Sequence, residues 1–135
     1  MVVLDTSIWV EYLKRPDTAP AAEAERLIVS GRALVLGPVT AELLQGARSE
    51  KEFETLREAL EGLPFAEGTR ETWISVGRLS YSLRRKGTPV PLSDLYIAVL
   101  AMEVGASVYT LDQDFLRIPG VELYQPRDAG NGSNP

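Results

Sequence analysis

Residues 2–7 read Val-Val-Leu-Asp-Thr-Ser, and residues 107–112 read Ser-Val-Tyr-Thr-Leu-Asp. Each opens with a short run rich in apolar and β-branched side chains, and an aspartate follows that run: Asp5 in the first, Asp112 in the second. The first is apolar at three consecutive positions, so it predicts a strand covered on both faces, over Val2–Leu4. The second predicts a strand over Ser107–Leu111. Working outward, Ala33–Leu36 is a third apolar run, and Leu63–Ala66 and Val121–Tyr124 are two shorter strand candidates.

Helical patterns fill the intervals. Thr6–Lys14 places Ile8, Trp9, Tyr12 and Leu13 at helical spacing, and Pro16 stops it. Ala21–Ser30 forms a second helix closed by Gly31, and Gly37-Pro38 reads as a break before a helix over Val39–Ala47. Glu50–Leu60 is a charged amphipathic helix, and Thr69–Lys86 is a long helix closed by Gly87. After the stiff Pro89–Pro91 loop, Ser93–Val104 is apolar almost all round and is expected inside the fold. Strands alternating with helices predict a three-layer α/β fold with a mostly parallel sheet. Ligands of such sheets sit beyond the carboxyl ends of the strands. One domain is expected over residues 1–128, with a flexible Gly/Asn/Ser/Pro tail over 129–135.

Composition narrows the chemistry. The chain has 135 residues, 44% hydrophobic and 24% charged, which suits one globular domain and excludes a disordered chain. No apolar run approaches a membrane span, and the N-terminus lacks the pattern of a secretory signal, so a cytoplasmic protein is expected. There is no cysteine and no histidine. Disulfides, thiol nucleophiles, imidazole bases and Cys/His metal sites are therefore excluded. The net charge of −5 weighs against a basic nucleic-acid binder but leaves room for a local basic face.

The acids are placed selectively. Of six aspartates, Asp5 and Asp112 follow apolar strands, Asp94 opens the most apolar helix, and Asp114 lies two residues past Asp112. Glu42 adds a carboxylate inside the helix that follows the second strand. Singly, each has an ordinary use: Asp5 and Asp94 as helix caps, Asp112 and Asp114 in an Asx turn, Glu42 as a solvated helix residue. Together they sit where this fold builds its site. Two carboxylates ~5 Å apart repel by ~3 kcal/mol at an effective dielectric of ~20. Four converging carboxylates make six pairs and a gross repulsion on the order of 10–20 kcal/mol, which a domain with ~5–15 kcal/mol of stability cannot carry unless they take up protons or bind a cation. Oxygen-only donors select Mg²⁺ or Mn²⁺.

Four segments in this order resemble PIN-domain ribonucleases of the VapC toxin type. They are Val-Val-Leu-Asp-Thr-Ser at 2–7, Val-Thr-Ala-Glu-Leu-Leu-Gln-Gly at 39–46, Leu-Ser-Asp-Leu-Tyr-Ile-Ala at 92–98, and Tyr-Thr-Leu-Asp-Gln-Asp-Phe at 109–115. The resemblance implies a Rossmann-like sheet of about five strands and cleavage of single-stranded or loop RNA by metal-activated water, leaving a 5′-phosphate. It implies a site of Asp5, Glu42, Asp94 and Asp112. Asp5, Asp94, Asp112 and Asp114 are the candidate metal ligands, and Thr6 and Thr110 are hydroxyls beside them. Glu42 is either a ligand or the group that orients water, and one or two metals are both compatible. The resemblance further implies a homodimer and a cognate antitoxin.

RNA approaching an acidic site needs positive charge nearby. Arg78, Arg84, Arg85 and Lys86 supply it at the end of the long helix, although cations there also complement the helix dipole. Trp9, Tyr12 and Leu13 form an aromatic-rich stripe suited to the core, or to a partner. The alternative to an enzyme is a non-catalytic PIN-like module that binds RNA or protein. A receiver domain is excluded, since residues 18–93 hold no aspartate and no lysine follows Lys86. A haloacid-dehalogenase phosphatase is excluded because Ser7 stands where its second aspartate is needed.

Overall fold

The computed structural model describes residues 1–126, so the expected tail over 129–135 lies outside the described residues. The elements run β1 (Val2–Leu4), α1 (Thr6–Lys14), α2 (Ala19–Val29), β2 (Ala33–Leu36), α3 (Gly37–Gln45), α4 (Glu50–Glu61), β3 (Phe65–Ala66), α5 (Arg70–Arg85), α6 (Leu92–Glu103) and β4 (Ser107–Tyr109). A 3₁₀ turn follows over Gln113–Arg117. The four strands form a sheet in the order β3-β2-β1-β4, with every pairing parallel. β1 is central, pairing Val2 with Ala33 on one side and Ser107 on the other.

β1 and β2 are buried at every position. Helices cover both faces of the sheet, so no side chain of these two strands meets water, which is why they lack a polar alternation. α6 is buried from Leu95 to Ala101, as its all-round apolar sequence predicts. No helix among the described residues is long and apolar enough to cross a membrane.

Three local expectations differ from the structure. Gly37-Pro38 does not break the chain: it forms the first turn of α3, where proline's missing N–H has no carbonyl to meet. α2 begins at Ala19 rather than Ala21, because Thr18 caps it by accepting a hydrogen bond from the Ala21 N–H. The expected fifth strand over 121–124 is reduced to a single parallel bridge between Val108 and Leu123. β4 offers only three residues to pair with, and Pro119-Gly120 and Pro126 bound the segment on either side.

The strands point their carboxyl ends one way, and that decides where the acids go. Asp5 follows β1, α3 carries Glu42 away from β2, and Thr110–Asp114 follow β4. α6 arrives at the same end because α5 closes with a Schellman motif. Gly87 takes φ +79°, and the Gly87 and Thr88 amides donate to the Arg84 and Leu83 carbonyls. The proline loop then turns the chain into α6, with Asp94 in its first turn.

Candidate functional site

The strand β1 presents Asp5 at the N-terminal boundary of α1, yet its side chain makes no cap hydrogen bond. It is spent elsewhere. Thr110 Oγ1 donates to Asp5 Oδ2 at 2.7 Å, and Ser7 Oγ donates to the same oxygen at 3.1 Å. Asp5 is only 5% exposed. Its other oxygen, Oδ1, receives no hydrogen bond from the described residues.

Asp94, Asp112 and Asp114 form a tight acidic group, with one carboxylate oxygen of each lying within 4.8 Å of the others. Asp112 also serves the bland purpose: its Oδ1 accepts from the Asp114 N–H at 2.9 Å and caps the 3₁₀ turn. That cap fixes the spacing of the two acids. Asp94 is half-buried, and its carboxyl is pushed up from 3.8 to about 7. Burial is the leading cause, followed by the charges of Asp5, Asp112, Asp114 and Glu42. Asp5 and Glu42 are therefore electrostatic neighbours of Asp94, although neither belongs to the group whose oxygens lie within 4.8 Å. Glu42 is half-buried on α3 and accepts a hydrogen bond of 2.5 Å from Thr6 Oγ1.

One cation reaches this cluster among the described residues. Arg117 lies 3.4 Å from Asp114 and donates to the Pro89 carbonyl at 3.2 Å. It ties the 3₁₀ turn to the loop that precedes α6. A single guanidinium against five carboxylates leaves a strong negative field, which suits a hard divalent cation.

The sequence profile described as "PIN domain" matches residues 2–121. The chain belongs to the PIN-domain family.

Its relatives place it among the VapC-type ribonuclease toxins. Ribonuclease VapC11 of Mycobacterium tuberculosis is 31% identical over 119 residues, which are 85% of this chain and 89% of that protein. The DNA-bound VapBC structure from Salmonella typhimurium is similar at a TM-score of 0.71, with 28% identity over 91% of this chain and 96% of that one. VapBC-5 from Mycobacterium tuberculosis, described as a member of the VapBC family of toxin–antitoxin systems, gives 0.59 and 25%, covering 89% and 91%.

Within this PIN domain Ser7 and Arg117 join the site without a motif in the sequence that marks their roles. Ser7 Oγ accepts from the Leu111 N–H at 2.9 Å while it donates to Asp5, so it stitches the end of β1 to the segment after β4. Thr110 does the same from the other side, accepting from the Asp112 N–H at 2.9 Å. The adjacent hydroxyls of Asp5-Thr6-Ser7 were the available signal. Neighbouring side chains at the start of a helix point in different directions, and here Thr6 and Ser7 serve different carboxylates.

The basic residues Arg78, Arg84, Arg85 and Lys86 make no ion pair with the acids among the described residues. All four are exposed on or just after α5. In the aromatic stripe, Trp9 is buried and Tyr12 packs against the core, while Leu13 remains 48% exposed. Packing therefore accounts for the two aromatic members.

Proposed function

We propose that this PIN domain is a metal-dependent endoribonuclease acting as the toxin of a type II toxin–antitoxin pair, with Mg²⁺ or Mn²⁺ held by Asp94, Asp112 and Asp114. The observation that carries the reading is the convergence of those three carboxylates beside Asp5, with Asp94 raised to about 7. The donor set fits such an ion: all oxygen, partly withdrawn from water, and mutually repulsive until a cation is added. When bound, the ion supplies charge neutralisation at a phosphate and a lower pKa for water.

The remaining roles fall to the protein. Asp5, clamped through Oδ2 by Ser7 and Thr110, is held with Oδ1 available to complete the site. Glu42, fixed by Thr6, orients the attacking water. With no histidine in the chain, a carboxylate takes the proton from that water. Arg78, Arg84, Arg85 and Lys86 draw the RNA backbone toward the negative site. The VapBC relatives support a cognate antitoxin as the partner, and the reading extends to a homodimer working in the cytoplasm.

The test is cleavage of labelled structured RNA by purified protein with Mg²⁺, Mn²⁺ or chelator. Cleavage is expected with either metal and absent with chelator. Asp5→Asn and Asp94→Asn should each abolish it while the circular dichroism spectrum is retained. Metal-independent cleavage, or cleavage that survives both substitutions, overturns the assignment.

A further inference from the structure

The charge of this chain is segregated. Its net charge is −5, yet residues 70–86 hold five basic side chains and one acid, Glu71. At about 100° per residue, Arg70, Trp73, Arg78, Tyr81, Arg84 and Arg85 share an arc of about 140° on α5. All six are exposed. The opposite side of the helix carries Thr72, Val76 and Leu83, which are buried. Complementing the helix dipole explains Arg84, Arg85 and Lys86 in the last turn, but neither Arg78 in the middle nor Arg70 at the start.

The aromatic residues on this face are held in place. Trp73 is 54% exposed, while its ring stacks on Tyr96 of α6 at 4.4 Å and 22°. The contact fixes the indole in one orientation. Tyr81 is also 54% exposed, with the guanidinium carbons of Arg78 and Arg85 at 5.9 Å and 5.6 Å from its ring centre. This clamp keeps both cations extended along the helix surface. The face also leads to the acids. Its C-terminal end passes through Gly87 into the Pro89 loop, whose carbonyl holds Arg117, and Arg117 pairs with Asp114. About 18 Å of helix separates Trp73 from Arg85.

We infer that the exposed face of α5 binds an unpaired segment of RNA, with Trp73 stacking a base and the Arg78–Tyr81–Arg85 cluster holding its phosphates. The inference rests on the ribonuclease reading, which already implies an unpaired strand, and adds the surface and the side chains that receive it. Arginines alone would accept any polyanion. An exposed, fixed indole adds a preference for strands whose bases are free to stack. The occupant is RNA rather than a second copy of the chain because the face is strongly cationic, and an identical cationic face would repel it.

The experiment is done in the Asp94→Asn background, so that binding is read without cleavage. Fluorescence anisotropy compares a labelled unpaired RNA with a fully paired RNA of equal length. Trp73→Ala should weaken the unpaired RNA roughly tenfold and leave the paired one almost unchanged, while Trp73→Phe keeps most of the affinity. Tryptophan emission should be quenched by unpaired RNA in the presence of Trp73 and not in Trp73→Phe, where only the buried Trp9 reports. Replacing Arg78 and Arg85 by alanine should make the log–log salt slope shallower by about 1.4.

Unchanged affinity and no quenching overturn the inference. So does sedimentation in which Trp73→Ala dissociates a dimer while RNA affinity holds, because the face then belongs to a second copy. If Trp73 responds to RNA but the wild-type protein never cleaves it, the ribonuclease reading fails and the surface stands. If cleavage is metal-dependent and Trp73 is inert, the reverse holds.

Discussion

Glu23 and Asp94 are both carboxylates drawn partly out of water, and the fold treats them in opposite ways. Glu23 is 7% exposed, and Arg26 donates to both of its oxygens at 3.1 Å. Tyr124, from the far end of the chain, donates a further hydrogen bond. Burial alone would raise Glu23, but the hydrogen bonds from Arg26 and Tyr124 outweigh it and hold the carboxyl below its ordinary value. Asp94 has burial acting the same way, and its neighbours are four more carboxylates that add to the rise. The protein neutralises the first group from its own inventory and leaves the second uncompensated. An acid satisfied internally serves the fold, whereas a cluster of unsatisfied acids stores an attraction for a cation.

The sharpest way to break this contrast is to neutralise each acid in turn. Asp94→Asn should abolish RNA cleavage and should raise the melting temperature of the metal-free protein, because it removes repulsion. Cleavage kinetics and thermal unfolding in chelator read the two effects. A destabilised Asp94→Asn protein would contradict the electrostatic account.

Glu23→Gln should behave in the opposite sense. It weakens the hydrogen bonds to Arg26 and Tyr124 and should cost about 1–2 kcal/mol in urea unfolding. Cleavage per folded molecule should stay at the wild-type level. A loss of cleavage without a loss of stability would move Glu23 into the site and end its structural role.

Metal titration sharpens the comparison further. Mg²⁺ or Mn²⁺ should raise the wild-type melting temperature as its concentration passes the dissociation constant. Glu23→Gln should show the same rise from a lower start, and Asp94→Asn should show little or none. Equal rises in all three proteins would place the ion elsewhere.

The last test of the comparison is the pH dependence. The Asp94 carboxyl is raised in the folded state, so the folded protein binds that proton more tightly than the unfolded chain. Its contribution to stability is fully present below about 3.8 and is lost as pH rises toward about 7. Glu23 is lowered, so its contribution is present above its ordinary value of 4.5 and is lost as pH falls below it. Denaturant unfolding in chelator at pH 5 and pH 8 should show the metal-free protein weaker at pH 8. Asp94→Asn should reduce that difference, and Glu23→Gln should leave it in place.

Amino-acid order by itself determined the alternation of strands and helices, because burial periodicity is written into neighbouring residues. β1, β2 and α6 lie within a residue or two of the spans their apolar runs predict. It also determined the chemical class of the site, since a chain without histidine or cysteine offers a metal chiefly hard oxygen donors. Whether an apolar run becomes a full strand is a different matter. Val121–Tyr124 has the composition of a strand, yet only Leu123 bridges the sheet.

The pairings between distant side chains were decided by tertiary structure alone. Ser7 and Thr110 meet at Asp5 because β1 and β4 are parallel neighbours in one register, with Leu4 opposite Tyr109. Glu23 finds Tyr124 across 101 positions. Asp112 and Asp114 are fixed relative to each other by a local cap, but their closeness to Asp94 depends on where α5 ends and how α6 enters. A hydrogen bond acts over about 3 Å, and no spacing along a chain fixes a distance of that size until the packed layers have set the register.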